Sequence, residues 1–360
     1  MSKQGGEEGK AAASSLPSTE ARAARVYVTR NLPGDALVEL RRHCKVTLNK
    51  KPAPPSRKEL LRCVAGADAI LCMLSDKIDR EVMDAAGPRL KVISSYSTGF
   101  EHIDVAEATR RGIHVTYTAD ILAEATADLT FALLLACARN VVAGDAMVRA
   151  GKWKVGWMPD LLLGQQVHGS TLGVIGMGRI GSAVARRAKG FGMTVLYHSR
   201  NRINERAEAE LGARYASRDD LLAQSDFVSI HASLNDQSRH LINRENIRKM
   251  KKTAYLINTA RGAVVDERDL VFALKSGWIA GVGLDVFERE PLPRTSPLVR
   301  MRDKVVLLPH IGSASYQTRV RMAEVAVKSI LDVVVRGKAP DRAFVVNPQA
   351  ATTTAAAEER

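Results

Sequence analysis

Three residue types acting together, an arginine, a histidine and a carboxylate, can hold an anionic group, polarise a carbonyl and deliver a proton to a forming alkoxide. Three residues in the second half of this 360-residue chain have suitable types, each close behind an apolar run. Arg261 follows Leu256-Ile-Asn-Thr-Ala, and its planar guanidinium could hold a carboxylate and lie against a carbonyl oxygen in a geometry that lysine does not match. His310 follows Val305-Val-Leu-Leu-Pro, and an imidazole is the natural proton donor near neutral pH. Glu290, in Leu284-Asp-Val-Phe-Glu-Arg-Glu-Pro, could bond the far ring nitrogen of His310, fixing the ring and favouring its charged form. Taken singly, each is equally a surface arginine cap, a loop glutamate and a turn histidine. Among the other histidines, His231 ends a strand-like run and reads as the wall of a ligand groove. His43, His102, His114, His168, His198 and His240 read as surface or loop residues, and no cluster has metal-ligand spacing.

A second chemistry is written at Thr171-Leu-Gly-Val-Ile-Gly-Met-Gly-Arg-Ile-Gly181, which reads as strand, then GxGxxG, then helix. Gly176 permits the tight turn, Gly178 lets backbone approach a pyrophosphate, and Gly181 lets helix and strand pack closely. The phosphates would lie at the positive end of that helix. A bare GxGxxG is weak, but the flanking strand, the helix and a second strand ending near Tyr197 supply the context of a dinucleotide site. An NAD-specific site places a carboxylate about 20 residues on, where it bonds the ribose and repels a 2′-phosphate. This chain has His198-Ser199-Arg200-Asn201-Arg202 there, with no acid before Glu205. Two guanidiniums and a hydroxyl suit a phosphate, so the residues favour NADP(H) while admitting NAD(H); the alternative is a plain solvated basic loop.

These groups need a scaffold, and the chain supplies the alternation of β-branched runs and amphipathic stretches that marks βαβ units. Arg25–Thr29, Ala69–Leu74, Val92–Ser95 and His114–Tyr117 read as strands, followed by a long helix from Leu122 to Asn140. Six more strands are expected at Thr171–Ile175, Thr194–Tyr197, Phe227–His231, Ala254–Asn258, Gly281–Leu284 and Val305–Leu308. A last helix, Thr318–Arg336, has no strand of its own to serve. The fold class is therefore α/β, with two doubly wound Rossmann-like domains, each with a parallel sheet, the smaller one discontinuous. The expected division is 25–121 with 310–348 for the substrate domain and 122–309 for the dinucleotide domain. Residues 1–24 read as a disordered tail and 349–360 as a loose C-terminus.

Composition narrows the function classes. The net charge is +14, and the first 24 residues contribute nothing to it, because Lys3, Lys10 and Arg22 cancel Glu7, Glu8 and Glu20. Basic pairs such as Arg41-Arg42 and Lys251-Lys252 are scattered rather than striped, which suits anionic small molecules and argues against nucleic acid. Ile121–Ala138 carries Glu124 and Asp128, leaving too short an uncharged run to span a bilayer, so no membrane association is expected. Four cysteines without CxxC spacing point to a reduced, cytoplasmic setting.

At these residues the chain resembles the D-isomer-specific 2-hydroxyacid dehydrogenases, and within them the glyoxylate/hydroxypyruvate reductase branch. The resemblance runs from Val26 to Pro348 and rests on four ordered motifs: the glycine loop, Asn258-Thr-Ala-Arg-Gly, Gly283-Leu-Asp-Val-Phe-Glu-Arg-Glu-Pro, and Pro309-His-Ile-Gly-Ser. It implies that Arg261 binds substrate, Glu290 assists and His310 is the acid/base. It also implies that Met177, Gly178, Arg179 and Ile180 cradle pyrophosphate. Ser199, Arg200 and Asn201 would face the adenosine ribose or its phosphate. Asp285 would bond the nicotinamide amide, while Thr259 and Ala260 would line the groove. Ser97-Thr98-Gly99 would offer backbone N–H groups to the carboxylate of a small 2-keto or 2-hydroxy acid. Ser233 stands where many relatives carry proline, a departure from the pattern in the groove wall.

The same resemblance implies a homodimer in which Trp153–Leu163 reaches across and Trp157 closes the partner's pocket; the alternative is that Trp153 and Trp157 anchor a loop within one subunit. Phosphoglycerate and phosphite dehydrogenases share these motifs, although long phosphoglycerate enzymes carry a regulatory domain for which this chain has no room. A formate enzyme would carry an amide at position 290. A dinucleotide-sensing corepressor would share the fold without the turnover.

Overall fold

A computed structural model describes residues 22–350, so the loose ends expected at 1–24 and 349–360 lie almost wholly outside the described residues. The chain forms two all-parallel sheets. The first holds β1 (Ala24–Val28), β2 (Cys44–Leu48), β3 (Ala69–Cys72), β4 (Val92–Ser95) and β5 (His114–Thr116), in the order β2-β1-β3-β4-β5. The second holds β6 (Thr171–Ile175), β7 (Thr194–His198), β8 (Ala213–Tyr215), β9 (Phe227–Ile230), β10 (Tyr255–Asn258), β11 (Gly281–Leu284) and β12 (Val305–Leu307). Its order is β12-β11-β10-β9-β6-β7-β8, so the chain reverses its direction of strand addition between β6 and β9. That reversal opens a crevice at the carboxyl ends of the strands, where such sheets take their ligands.

Two strands, β2 and β8, were not anticipated by the apolar pattern, so the sheets have five and seven strands rather than four and six. Both lie at a sheet edge and are largely solvated, so neither needs the continuous apolar run of a strand covered on both faces. The central strands do show that run. In β3, Ile70 and Cys72 face one core with Ile93 and Met83, while Ala69 and Leu71 face the other with Val92 and Ile330. This is the two-residue alternation of a strand buried on both sides.

Two long helices tie the architecture together. Ala123–Ala138 begins after a 3-10 turn at Ala119–Leu122 and ends before Asn140, which sits in the left-handed region at φ 52°. Its Phe131, Leu134 and Cys137 pack with Val174 and Ile257 of the second sheet. By length and composition Ala119–Ala138 could cross a membrane, but here 56% of that window is buried inside the fold. Tyr316–Val334, capped by Ser315, lays Met322, Ala326 and Ile330 against Val26, Leu71 and Val92 of the first sheet.

Candidate active site

Arg261, Glu290 and His310, which sequence spacing could not bring together, line one cleft of about 1170 Å³ between the two sheets. The His310 turn is built by its neighbours. Asp285, buried at the end of β11, accepts from the backbone N–H of Ile311 (2.7 Å) and Gly312 (2.8 Å), and its carbonyl accepts from His310 N–H (2.9 Å). These bonds hold His310 in the left-handed region at φ 54°, a conformation that a non-glycine residue keeps only when its surroundings impose it. Both Asp285 oxygens are thus already engaged; burial pushes its carboxyl above the usual carboxylate range, against the pull of those N–H groups.

The His310 ring meets Glu290, with Nδ1 at 2.7 Å from Oε2, while the other Glu290 oxygen accepts from Phe287 N–H at 3.0 Å. Burial, the largest single influence, would raise the Glu290 carboxyl, but the His310 bond and charge, the Phe287 N–H and the nearby Arg261 charge together hold the group below its usual range. With its pKa lowered, Glu290 is ionised at neutral pH, and its charge is lost as pH falls through that depressed value. Glu290 precedes Pro291 through a cis peptide. Gly262 fixes the spacing between this turn and the next, since a Cβ there would overlap the backbone of Phe287 and Glu288.

Arg261 leaves β10 through a turn stapled by Asn258, which accepts from Ala260 N–H (3.0 Å) and donates to the Arg261 carbonyl (3.0 Å). Thr259 bonds Thr130 at 2.8 Å, which fixes that turn to the long helix. The Arg261 guanidinium donates to the Ala260 carbonyl (2.8 Å) and, across the cleft, to Glu101 (3.2 Å). Facing it is the Ser97-Thr98-Gly99 loop, whose Gly99 carbonyl accepts from the Ser95 and Ser97 hydroxyls at 3.2 and 2.5 Å. A Cβ on Gly99 would overlap both the Arg261 guanidinium and the Glu101 carboxylate, so three groups converge on one point.

The glycine loop fits a pyrophosphate. Gly176 turns at φ 97° with the His231 and Ala232 backbone against it, and a Cβ on Gly181 would strike the Gly176 carbonyl. A Cβ on Gly178 would meet nothing within 4 Å, leaving backbone open to the cleft at the start of helix Arg179–Gly190. Met177 points into the core and Ile180 is half-buried, so these two offer backbone rather than side chain. Arg179 is paired with Asp120 at 2.5 Å.

Beyond β7 the arrangement differs from expectation. Arg202 is not free for a phosphate: it forks onto Glu208 at 2.7 and 2.8 Å, and Glu208 also accepts from Tyr197 OH at 2.6 Å. Ser199 donates to the Asn201 carbonyl at 2.5 Å, and exposed Arg200 has no ion pair among the described residues. His102, read as a surface or loop residue, lies in a turn but is half-buried, with Nε2 at 3.4 Å from Ser95 Oγ, and burial lowers its pKa to about 4. His231 lines the cleft as expected, and burial pulls it down to about 3, so it stays neutral. Glu101, Asp120 and Glu208 escaped the sequence reading because an acid's arginine partner in another element leaves no local signal.

Fold and cleft together define an NAD(P)-dependent oxidoreductase of the doubly wound α/β type. The family model for the NAD-binding domain of D-isomer-specific 2-hydroxyacid dehydrogenases matches residues 131–312. The chain is 51% identical over 316 residues to a glyoxylate reductase of Korarchaeum cryptofilum, covering 88% of this chain and 94% of that one. It is 51% identical over 320 residues to a glyoxylate reductase of Thermofilum pendens, covering 88% and 93%. An NADPH-dependent glyoxylate/hydroxypyruvate reductase of Sinorhizobium meliloti, solved with NADP and malonate, superposes with a TM-score of 0.77 at 30% identity, covering 91% and 98%. The chain belongs to the D-isomer-specific 2-hydroxyacid dehydrogenases.

Proposed function

We propose that this protein reduces small 2-keto acids, glyoxylate and hydroxypyruvate foremost, to their 2-hydroxy acids, with NADPH preferred over NADH. The observation that carries the reading is the convergence of Arg261 and the His310–Glu290 pair on the cleft that also receives the glycine loop. Bound there, the dinucleotide would supply the hydride. Arg261 holds the carboxylate and lies against the carbonyl, Thr98 and Gly99 add backbone donors, and His310 delivers the proton while Glu290 orients its ring. Similarity to glyoxylate reductases at half identity supports the substrate class. The test is a panel of glyoxylate, hydroxypyruvate, pyruvate and phenylpyruvate assayed with each cofactor. Binding of dinucleotide without turnover of any keto acid would reject the reading.

The cofactor preference rests on Ser199 and Arg200 and on the lack of a carboxylate after β7. Since Arg202 is held by Glu208, Arg200 is the guanidinium left for the 2′-phosphate. One charge-assisted hydrogen bond contributes about 1.5–3 kcal/mol, so a preference for NADPH on the order of 10- to 100-fold is expected. Replacing Ser199 with Asp together with Arg200→Ala should reverse it, read as the ratio of kcat/KM for the two cofactors. Equal efficiency with both in the parent enzyme would remove the assignment.

We further propose a cytoplasmic homodimer, with 25–121 and 310–348 as the substrate domain and 122–309 as the dinucleotide domain. Trp157 is 86% exposed in the single chain, alongside exposed Val141, Val142, Val148, Val155 and Leu163. An indole standing that far out of its own chain anchors little within it, and an apolar patch of this kind marks an interface. Trp157→Ala should raise activity toward phenylpyruvate relative to glyoxylate by enlarging the partner's pocket. An unchanged substrate ranking would show that Trp157 does not shape that pocket.

A further inference from the structure

Glu101 stands where a carboxylate is least expected, beside the guanidinium assigned to the substrate. Its Oε1 lies 3.2 Å from Arg261 Nε, and both groups crowd the position that a Cβ on Gly99 would occupy. Its side chain is 40% exposed toward the cleft it lines. With His310 protonated, the cations at the reacting end of the cleft are Arg261 and His310, and the carboxylates are Glu290, Glu101 and buried Asp285, whose oxygens accept from backbone N–H groups. A substrate carboxylate can take the guanidinium donors that Glu101 leaves, whereas a second anionic group beside it meets the Glu101 charge. Of the other cations on the cleft wall, Arg30 is paired with Asp76, Lys51 with Glu59 and Arg179 with Asp120, while Arg319 donates to the Ser313 carbonyl at 3.3 Å. Lys50 sits exposed at the rim.

We propose that Glu101 is a specificity residue, a fixed negative charge that keeps keto acids with a second anionic group out of the site while admitting those with a neutral tail. The inference rests on the reading of Arg261 as the carboxylate anchor. Like charges a few ångströms apart in a partly screened cleft interact strongly enough to change binding by about tenfold or more. With Nε on Glu101 and Nη1 on the Ala260 carbonyl, Nη2 is the guanidinium nitrogen left for the substrate.

The test compares two keto acids of equal carbon number, 2-oxobutanoate and oxaloacetate, as a ratio of kcat/KM with NADPH. The parent enzyme should favour 2-oxobutanoate by about tenfold or more. Glu101→Gln should shrink that ratio by about tenfold, and Glu101→Asp should retain most of it. Should the glutamine variant lose turnover, binding of malonate against propanoate to its NADPH complex reads the same filter, and malonate should gain about tenfold. An unchanged ratio in Glu101→Gln, in turnover or in binding, overturns the proposal, as does a parent enzyme indifferent to the second charge. Failure of the parent to reduce any keto acid, glyoxylate included, defeats instead the underlying reading of the site.

Discussion

Replacing His310 with alanine lowers turnover by a factor on the order of 100 to 10,000, the usual share of general acid catalysis. Dinucleotide affinity, measured by fluorescence titration, stays near that of the parent, because the glycine loop lies on another edge of the cleft. The backbone at this position is left-handed, so alanine adds a local cost of its own. His310→Asn separates the two effects, since asparagine tolerates that conformation but does not donate a proton as imidazolium does. Turnover within a few-fold of the parent in the asparagine variant would place the proton source elsewhere.

Arg261→Lys, which keeps the charge and loses the fork, should lower kcat/KM by about 100-fold or more. One charge-assisted hydrogen bond is worth about 1.5–3 kcal/mol, and the planar guanidinium makes two at fixed geometry. The substitution also releases Glu101 from its 3.2 Å contact, so a free carboxylate would then stand beside the substrate's own. The measurement is steady-state kinetics on glyoxylate with saturating cofactor. Efficiency equal to the parent's would leave Arg261 as a structural cap on the Asn258 turn.

The sequence was informative wherever one segment carries its own physical reason. In the glycine loop a Cβ on Gly176 or Gly181 would strike neighbouring backbone, while Gly178 leaves open space, and the three are legible as a spacing. Central strands such as β3 and β9 are buried on both faces and read as apolar runs, while the edge strands β2 and β8 had no such pattern to show. The candidate residues Arg261, Glu290 and His310 were legible by type, but their meeting depends on turns made elsewhere, the Asp285 clamp and the Gly262 contact among them. Arg202 marks the limit of reading charge along a chain. Its forked bond to Glu208 depends on a helix turning back toward the loop after β7, and a string of residues does not show which cations already have partners.

The chain passes between the two sheets twice, once at Ala119–Leu122 and again between β12 and the Tyr316–Val334 helix. These passages lie side by side, since a Cβ on Gly312 would come within 3.4 Å of Thr126. A single strand of connection would leave a swivel, free to twist and slide. Two adjacent connections leave a door: one rotation about the line that joins them stays soft, while sliding and twisting must stretch one passage against the other. Glu101 and Arg261 reach each other from the two sides of the cleft, so their ion pair is a latch that opening the door would have to release.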